Sequence, residues 1–265
     1  MLKSITLLGS SSGRNAGDAA LLSAIMDSVD RSCGTRLLYE IPTIKPGFIR
    51  NNYNNRVQPI SMLPWHASVK MFGVPTCRSI MRTDLSLIFD AILFDRALYN
   101  PLFNFLSTLY LLLPRAKRRG KKIACFNVGT GPVTTPAGQR MLRELAEIME
   151  FITVRDQSSL DILKDIGVKN ERLILTADAA LNVAPCDEER IRQIFSQLKL
   201  NPEQEILGIN INSYIDTWAG PDHQPMGKAK FLTEYAAALS RAARKLHVPL
   251  LFVCSQHNDV AITKE

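Results

Sequence analysis

Short apolar runs alternate with stretches of helical periodicity through the first half of the chain, the pattern of βα units laid into a parallel sheet. Strands are predicted at Ser4–Leu8, Thr35–Ile41, Leu85–Phe89, Lys122–Val128, Phe151–Val154 and Arg172–Thr176, with helices between them. Asp18–Val29 places Leu21, Leu22, Ile25, Met26 and Val29 on one helical face, and Pro136–Met149 does the same with Met141, Leu142, Leu145, Ile148 and Met149. Ser158–Ile166 is a third helix, stopped by Gly167. Residues 42–83 break the rhythm with prolines, glycines and the polar run Asn51, Asn52, Tyr53, Asn54, Asn55. That stretch reads as an insertion or long active-site loop, or equally as an excursion with no function.

After Asp178 the pattern resets. Ala184, Pro185 and Cys186 form a linker, Asp187 caps a helix running to Leu198, and Ile206–Ile211 begins a fresh strand. A long helix, Lys228–Leu246, and a strand, Pro249–Cys254, follow. The expected architecture is α/β: a Rossmann-like parallel-sheet domain over 1–184, a linker and helix over 185–205, and a partial second Rossmann-like domain over 206–265. A sheet of two strands with one helix leaves a face bare, so the second unit is expected either to dock on the first or to lack its remainder.

Composition narrows the class. The 265 residues are 46% hydrophobic and 22% charged, which suits a globular protein with a substantial core and excludes a disordered or disulfide-built chain. Five dispersed cysteines without a CxxC pair point to reduced thiols in a cytoplasmic protein and to no structural metal. The start, MLKSITLLGSSSG, reads as a first strand and a turn, not as a signal peptide. The net charge of +7 favours anionic partners, although a solvated surface also accounts for it. Six of those basic side chains lie within residues 114–122, directly after the apolar segment Pro101–Leu113, which is too short to span a bilayer and is interrupted by Asn104 and Ser107. The segment is a crossover helix with a basic last turn, or an interfacial helix making peripheral contact with the inner membrane face. The cluster lacks interleaved aromatics, so nucleic acid is not expected as a partner.

Four junctions carry candidate chemistry. GRNAGD, Gly13–Asp18, joins the first strand to the first helix, where Gly13, Asn15, Gly17 and Asp18 let backbone amides approach an anion; a capping Asp18 after a glycine turn is the structural alternative. NVGTGP, Asn127–Pro132, is a second glycine turn, with Gly129 and Gly131 expected to leave amides open at the carboxyl edge of the sheet. In TVRDQSS, Arg155 ends a strand ahead of Asp156 and Ser158, and its guanidinium can hold a carboxylate or phosphate in two-point contact. The alternative there is an Arg155–Asp156 surface pair with Ser158 as helix cap. Asp178, in TADAAL, either bonds a sugar hydroxyl or ends a strand. His257 with Asp259, in CSQHND, is the best candidate acid/base pair; His66, His223 and His247 have no supporting pattern.

Taken in order, ITLLGSSSGRNAGDAALL, KKIACFNVGTGPV, FITVRDQSSLDILKDIGV, ILTADAAL and ILGINI resemble the polysaccharide pyruvyl transferase family over nearly the whole chain, most specifically in the GxNxGD and TVRDxxS segments. The resemblance implies two Rossmann-like domains in the glycosyltransferase-B arrangement. It implies phosphoenolpyruvate as donor, with no cofactor or metal, and a cell-surface or lipid-linked glycan sugar as acceptor. Arg155 would then bind the donor, and Gly13, Asn15, Gly17, Asp18, Gly129, Gly131, Asp156, Ser158 and Asp178 would line the substrate crevice.

Two departures accompany it. A glycine pair usual after the third strand of such proteins is replaced by Asp90 and Ala91. The Arg-x-His segment expected late in the second domain has no counterpart before the chain stops, which leaves His257 as the histidine to consider and predicts weak or absent activity. A sugar-nucleotide glycosyltransferase of the same fold and a non-catalytic member of a glycan-assembly complex are the alternatives.

Overall fold

The computed structural model describes residues 2–53, 57–61, 74–98, 104–212 and 227–264. Chain contacts divide it into two units, Met1–Gly13 with Gly17–Val183, and Arg14–Ala16 with Ala184–Glu265.

The first unit alternates strands and helices: β1 (Ser4–Leu8), α1 (Ala16–Cys33), β2 (Leu38–Thr43), α2 (Pro46–Asn52), β3 (Val57–Ser61), α3 (Val74–Arg82), β4 (Leu85–Ile88), α4 (Phe105–Arg118), β5 (Lys122–Val128), α5 (Pro136–Glu147), β6 (Ile152–Val154), α6 (Gln157–Asp165) and β7 (Leu173–Leu175). A 3₁₀ turn, Ala179–Asn182, ends it. The seven strands form one parallel sheet in the order β3-β2-β1-β4-β5-β6-β7, with Ile5 opposite Tyr39, Thr6 opposite Ser86 and Cys125 opposite Ile152. Helices cover both faces, so the strands read as continuous apolar runs and not as alternating ones.

On one face Ile5, Leu7, Tyr39, Ile41 and Leu87 pack against Leu21, Leu22 and Ile25 of α1. On the other, Leu8, Ile88, Ile123 and Cys125 pack against Leu109 and Leu113 of α4 and Leu142 and Leu145 of α5. Each such side chain, fully withdrawn from water, contributes roughly 1.5–3 kcal/mol before chain entropy is counted. The helix starts are capped as the sequence chemistry requires. Asn104 accepts from the Ser107 amide at 3.0 Å, Thr135 from Gly138 at 3.1 Å and Asp156 from Ser159 at 2.7 Å.

The stretch 42–83 is not one long loop where it is described. It contributes α2, the edge strand β3 and α3. Pro59 lies within β3, opposite Ile41, and a proline is compatible with an edge strand because only one side of that strand must pair. The segment expected as an apolar crossover is α4, which buries Leu106, Leu109, Leu112 and Leu113 and carries Pro114 near its end. A polar layer lies buried beneath α3, where the Thr6 hydroxyl of β1 meets Ser79 at 2.8 Å and Thr83 at 2.7 Å.

The second unit contains α7 (Glu188–Gln197), β8 (Leu207–Ile209), α8 (Lys228–Leu246), β9 (Leu250–Phe252) and α9 (Asp259–Lys264). Asp187 caps α7 through the Arg190 amide at 2.7 Å. β8 and β9 pair in parallel, Leu207 opposite Leu250 and Ile209 opposite Phe252. No residue of α7 or α8 is fully buried. Within this unit the Ala16 amide donates to the Ser255 carbonyl at 2.8 Å, and an antiparallel bridge joins Asn15 to Gln256. No helix among the described residues is long and apolar enough to cross a membrane.

Candidate active site

Strand order reverses at β1: β2 and β3 lie to one side, β4 to β7 to the other. The loops leaving β1 and β4 therefore diverge at their carboxyl ends and open a crevice, the usual ligand position of an open α/β sheet. Asp90 stands there. Its backbone takes the left-handed conformation, φ 69°, and its carboxylate accepts from the Ala91 amide at 2.6 Å and the Ser10 amide at 3.3 Å. Burial raises its pKa above the ordinary carboxylate value, against the effect of those two amides and of Arg155.

Asp18 lies beside it on the first turn of α1. It is not the helix cap, because the helix already begins at Ala16. Burial is the main cause that pushes its pKa up to about 6; a hydrogen bond with the Ser10 side chain works against this, the charge of Asp90 adds to it, and Arg155 opposes it.

Arg155 is the cation these carboxylates share. Its amide donates to the Val128 carbonyl at 3.2 Å, which seats the residue at the end of β6. Its Nη1 lies 3.1 Å from Oδ2 of Asp178, and its Nε 3.7 Å from Oδ2 of Asp156. A Cβ at position 129 would stand 3.2 Å from Nε and Nη2 of this guanidinium and 3.0 Å from the Ala91 side chain. Gly129 is therefore the residue that lets Arg155 lie close against the backbone after β5.

Both carboxylates that hold Arg155 have a second partner. Asp178 accepts from the Ala180 amide at 2.9 Å and so starts the 3₁₀ turn. Asp156 caps α6. Burial would raise its pKa, but the Ser159 hydrogen bonds and Arg155 together hold it below the ordinary value. Ser158, the alternative cap, is exposed, and Asp156 takes that position.

The remaining predicted residues divide. Gly13, at φ 66°, has the Phe48 ring 2.4 Å from where a Cβ would stand, so its lack of a side chain serves packing. The Gly131 amide is not open: it donates to the Leu93 carbonyl at 2.8 Å. Gly17 is exposed beside Asp18, and Asn15 belongs to the second unit. His257 is exposed in that unit and its amide donates to the Arg14 carbonyl at 2.8 Å. Asp259 is fully buried, accepts from the Gln256 amide at 3.1 Å and opens α9. His66 and His223 lie outside the described residues. Among the described residues no group of three or more His, Cys, Asp or Glu is placed to hold a metal ion.

Several residues at this edge were not singled out from sequence. Asn127, at φ 52°, donates through its side chain to Thr176 Oγ1 at 2.7 Å and the Ala177 carbonyl at 2.8 Å, and its amide donates to Thr153 Oγ1 at 2.8 Å. It ties the ends of β5, β6 and β7 together. The hydroxyls of Ser11 and Thr130, after β1 and β5, are buried and have no hydrogen-bond partner among the described residues. The GSSSG run was a signal for the first, and a threonine between two glycines for the second.

A parallel sheet with its charged cluster at the carboxyl ends, followed by a smaller parallel β-α-β unit, is the α/β class with Rossmann-like parts and glycosyltransferase-B-like relatives. Within that class the chain belongs to the polysaccharide pyruvyl transferase family, whose model matches residues 15–228. The fold is similar to that of UDP-GlcNAc 2-epimerase from Methanocaldococcus jannaschii, with TM-score 0.63 and 10% identity over 100% of this chain and 68% of the other. The corresponding enzyme from Neisseria meningitidis bound to UDP-GlcNAc gives 0.60 and 10% over 99% and 67%. That from Rickettsia bellii gives 0.56 and 12% over 100% and 65%. The chain thus spans about two thirds of the length of these structures. No curated protein matches it significantly.

Proposed function

We propose that the protein transfers a pyruvyl group from phosphoenolpyruvate to a sugar of a cell-surface or lipid-linked glycan. The observation that carries this reading is the placement of Arg155: one guanidinium, oriented by Asp178 and Asp156, lying against Gly129 at the carboxyl edge of the sheet. Arg155 binds the carboxylate or phosphate of the donor in two-point contact. Ser11 and Thr130 supply buried hydroxyls at the same edge.

The reaction needs a proton at the donor methylene carbon, a bond from a sugar oxygen to the adjacent carbon, and departure of phosphate. For a ketal product a second sugar hydroxyl adds, so one hydroxyl proton ends on the new methyl group and the other on phosphate. Asp18, with a pKa of about 6, takes the proton of the attacking hydroxyl near neutral pH. No step requires a metal. Turnover is measured as phosphate released from phosphoenolpyruvate in the presence of galactose- or N-acetylmannosamine-containing acceptors; release that needs both substrates and disappears with Arg155→Ala supports the reading.

A sugar nucleotide as ligand is the second reading. Its specific support is the number of carboxylates around Arg155, since Asp18, Asp90 and Asp178 suit the hydroxyls of a sugar.

A further inference from the structure

At the opposite edge of the same sheet lies a surface that the donor chemistry does not use. α4 ends at Arg118 and the chain re-enters the sheet at Lys122, so the basic run sits at the amino ends of the strands, whereas Arg155 and Asp178 follow carboxyl ends.

Two open grooves flank the last turns of α4. One, of about 540 Å³, is lined among the described residues by Cys77, Met81, Arg115, Arg118 and Arg119, three guanidinium groups and no carboxylate. The other, of about 440 Å³, shares Arg115 and Arg118 and adds Tyr110, Leu111, Pro114 and Ile148. Glu144 also borders it, and its carboxylate is engaged by the Tyr110 hydroxyl and by Arg140.

Among the described residues, neither Arg115 nor Arg119 pairs with a carboxylate. Arg115 donates to the Leu111 carbonyl, and Arg119 reaches the Met81 sulfur at 3.7 Å. Of the neighbouring lysines, Lys117 pairs with Glu150 at 2.7 Å, and Lys121 donates to the Thr83 carbonyl at 3.0 Å.

Leu111 is 52% exposed although it stands one turn before Arg115 on a helix whose other leucines are buried. An exposed leucine and half-buried methionine and proline carbon, interleaved with arginine side chains, form a surface with an apolar floor and a cationic rim. A free phosphate would use the cations but not the leucine. A nucleic acid strand would need faces for base stacking, and among the described residues lining the grooves only Tyr110 is aromatic, its hydroxyl held by Glu144.

We propose that this face of α3, α4 and α5 docks on an anionic lipid bilayer, with Arg115, Arg118 and Arg119 at the headgroups and Leu111 entering the interface. The carboxyl edge of the sheet then faces away from the lipid surface and stays open to substrates. Each arginine near an anionic surface contributes several-fold to binding, so removing three costs on the order of 100-fold.

The test is co-sedimentation of the purified chain with vesicles of phosphatidylcholine alone and with about a third phosphatidylglycerol, at low and high salt. The expected result is binding to the anionic vesicles only, weakened by salt and lost on the order of 100-fold in Arg115→Gln/Arg118→Gln/Arg119→Gln. Leu111→Ser should weaken binding several-fold and leave its salt dependence unchanged. If the triple variant melts abnormally, Arg118→Gln alone is used, with about a five-fold loss expected. Equal binding to both vesicle types, binding unchanged by the variants, no vesicle binding by the wild type, or tighter capture of an oligonucleotide would each overturn the proposal.

Discussion

Arg155 Nη1 lies 3.1 Å from Oδ2 of Asp178, so a cation at the end of β6 is aimed by a carboxylate that follows β7. The two side chains are 28% and 36% exposed, and a pair so accessible contributes roughly 0–1 kcal/mol to folding. Its effect is orientation. Asp178→Asn is expected to leave the thermal midpoint nearly unchanged while weakening donor binding about ten-fold, since a hydrogen-bonded charge contributes about 1.5 kcal/mol. Calorimetric titration beside a thermal melt separates the two effects.

Asp18 should give the protein a pH signature. Its folded pKa, about 6, lies above its ordinary value of 3.8, so the protonated form suits the fold. That stabilisation is complete below the ordinary value and disappears as pH rises through about 6. Asp18→Asn, which mimics the neutral form, should therefore be more stable than the wild type by about 1–2 kcal/mol near pH 8, after allowing for solvent screening, and gain nothing near pH 4. Denaturant melts across that range check the sign. As the proposed base, Asp18 also predicts turnover that rises through pH 6 in the wild type and no such rise in the variant.

Asp90 occupies the crevice between β1 and β4 with a carboxylate that accepts from the Ser10 and Ala91 amides. Those amides face an anion of the protein's own, which repels a second anion nearby. Asp90→Asn is expected to tighten phosphoenolpyruvate binding by about ten-fold, the effect of removing roughly 1.4 kcal/mol of repulsion. Titration of both proteins with the donor decides it; weaker binding by the variant would mean that the carboxylate helps to hold the ligand.

Asn127 makes two side-chain hydrogen bonds, to Thr176 Oγ1 and the Ala177 carbonyl, and the latter joins positions 50 residues apart. Asn127→Ala should cost about 1–3 kcal/mol of stability, because it removes two hydrogen bonds worth roughly 0.5–1.5 kcal/mol each. Hydrogen exchange should show the loss as faster opening around β7.

Much of this molecule is legible in its sequence, for identifiable reasons. Ser4–Leu8, Lys122–Val128 and Lys228–Leu246 are read with their observed bounds because apolar run and periodicity agree there. Arg155 stands out because a charged residue between a strand and a helix cap is placed by local chain geometry alone. β3 is obscured by Pro59, whose compatibility with the strand depends on its being at the sheet edge, a tertiary fact. The extent of α1 is underread because Ala16 and Cys33 add turns outside the apolar stripe. Asn127, Ser11 and Thr130 are ordinary polar residues until the fold buries them and joins distant segments. Asp90 shows in sequence only as a residue in place of glycine, and its seat on two amides depends on β1 and β4 being neighbours.

The central claim is that Arg155 holds an anionic three-carbon donor. Titration calorimetry of the purified chain with phosphoenolpyruvate, and separately with UDP-N-acetylglucosamine, tests it most directly. Saturable phosphoenolpyruvate binding, lost at least 100-fold in Arg155→Ala and partly kept in Arg155→Lys, which preserves charge without the two-point fork, is the result predicted. Binding of the sugar nucleotide with none of phosphoenolpyruvate, or donor binding indifferent to Arg155→Ala, would contradict it.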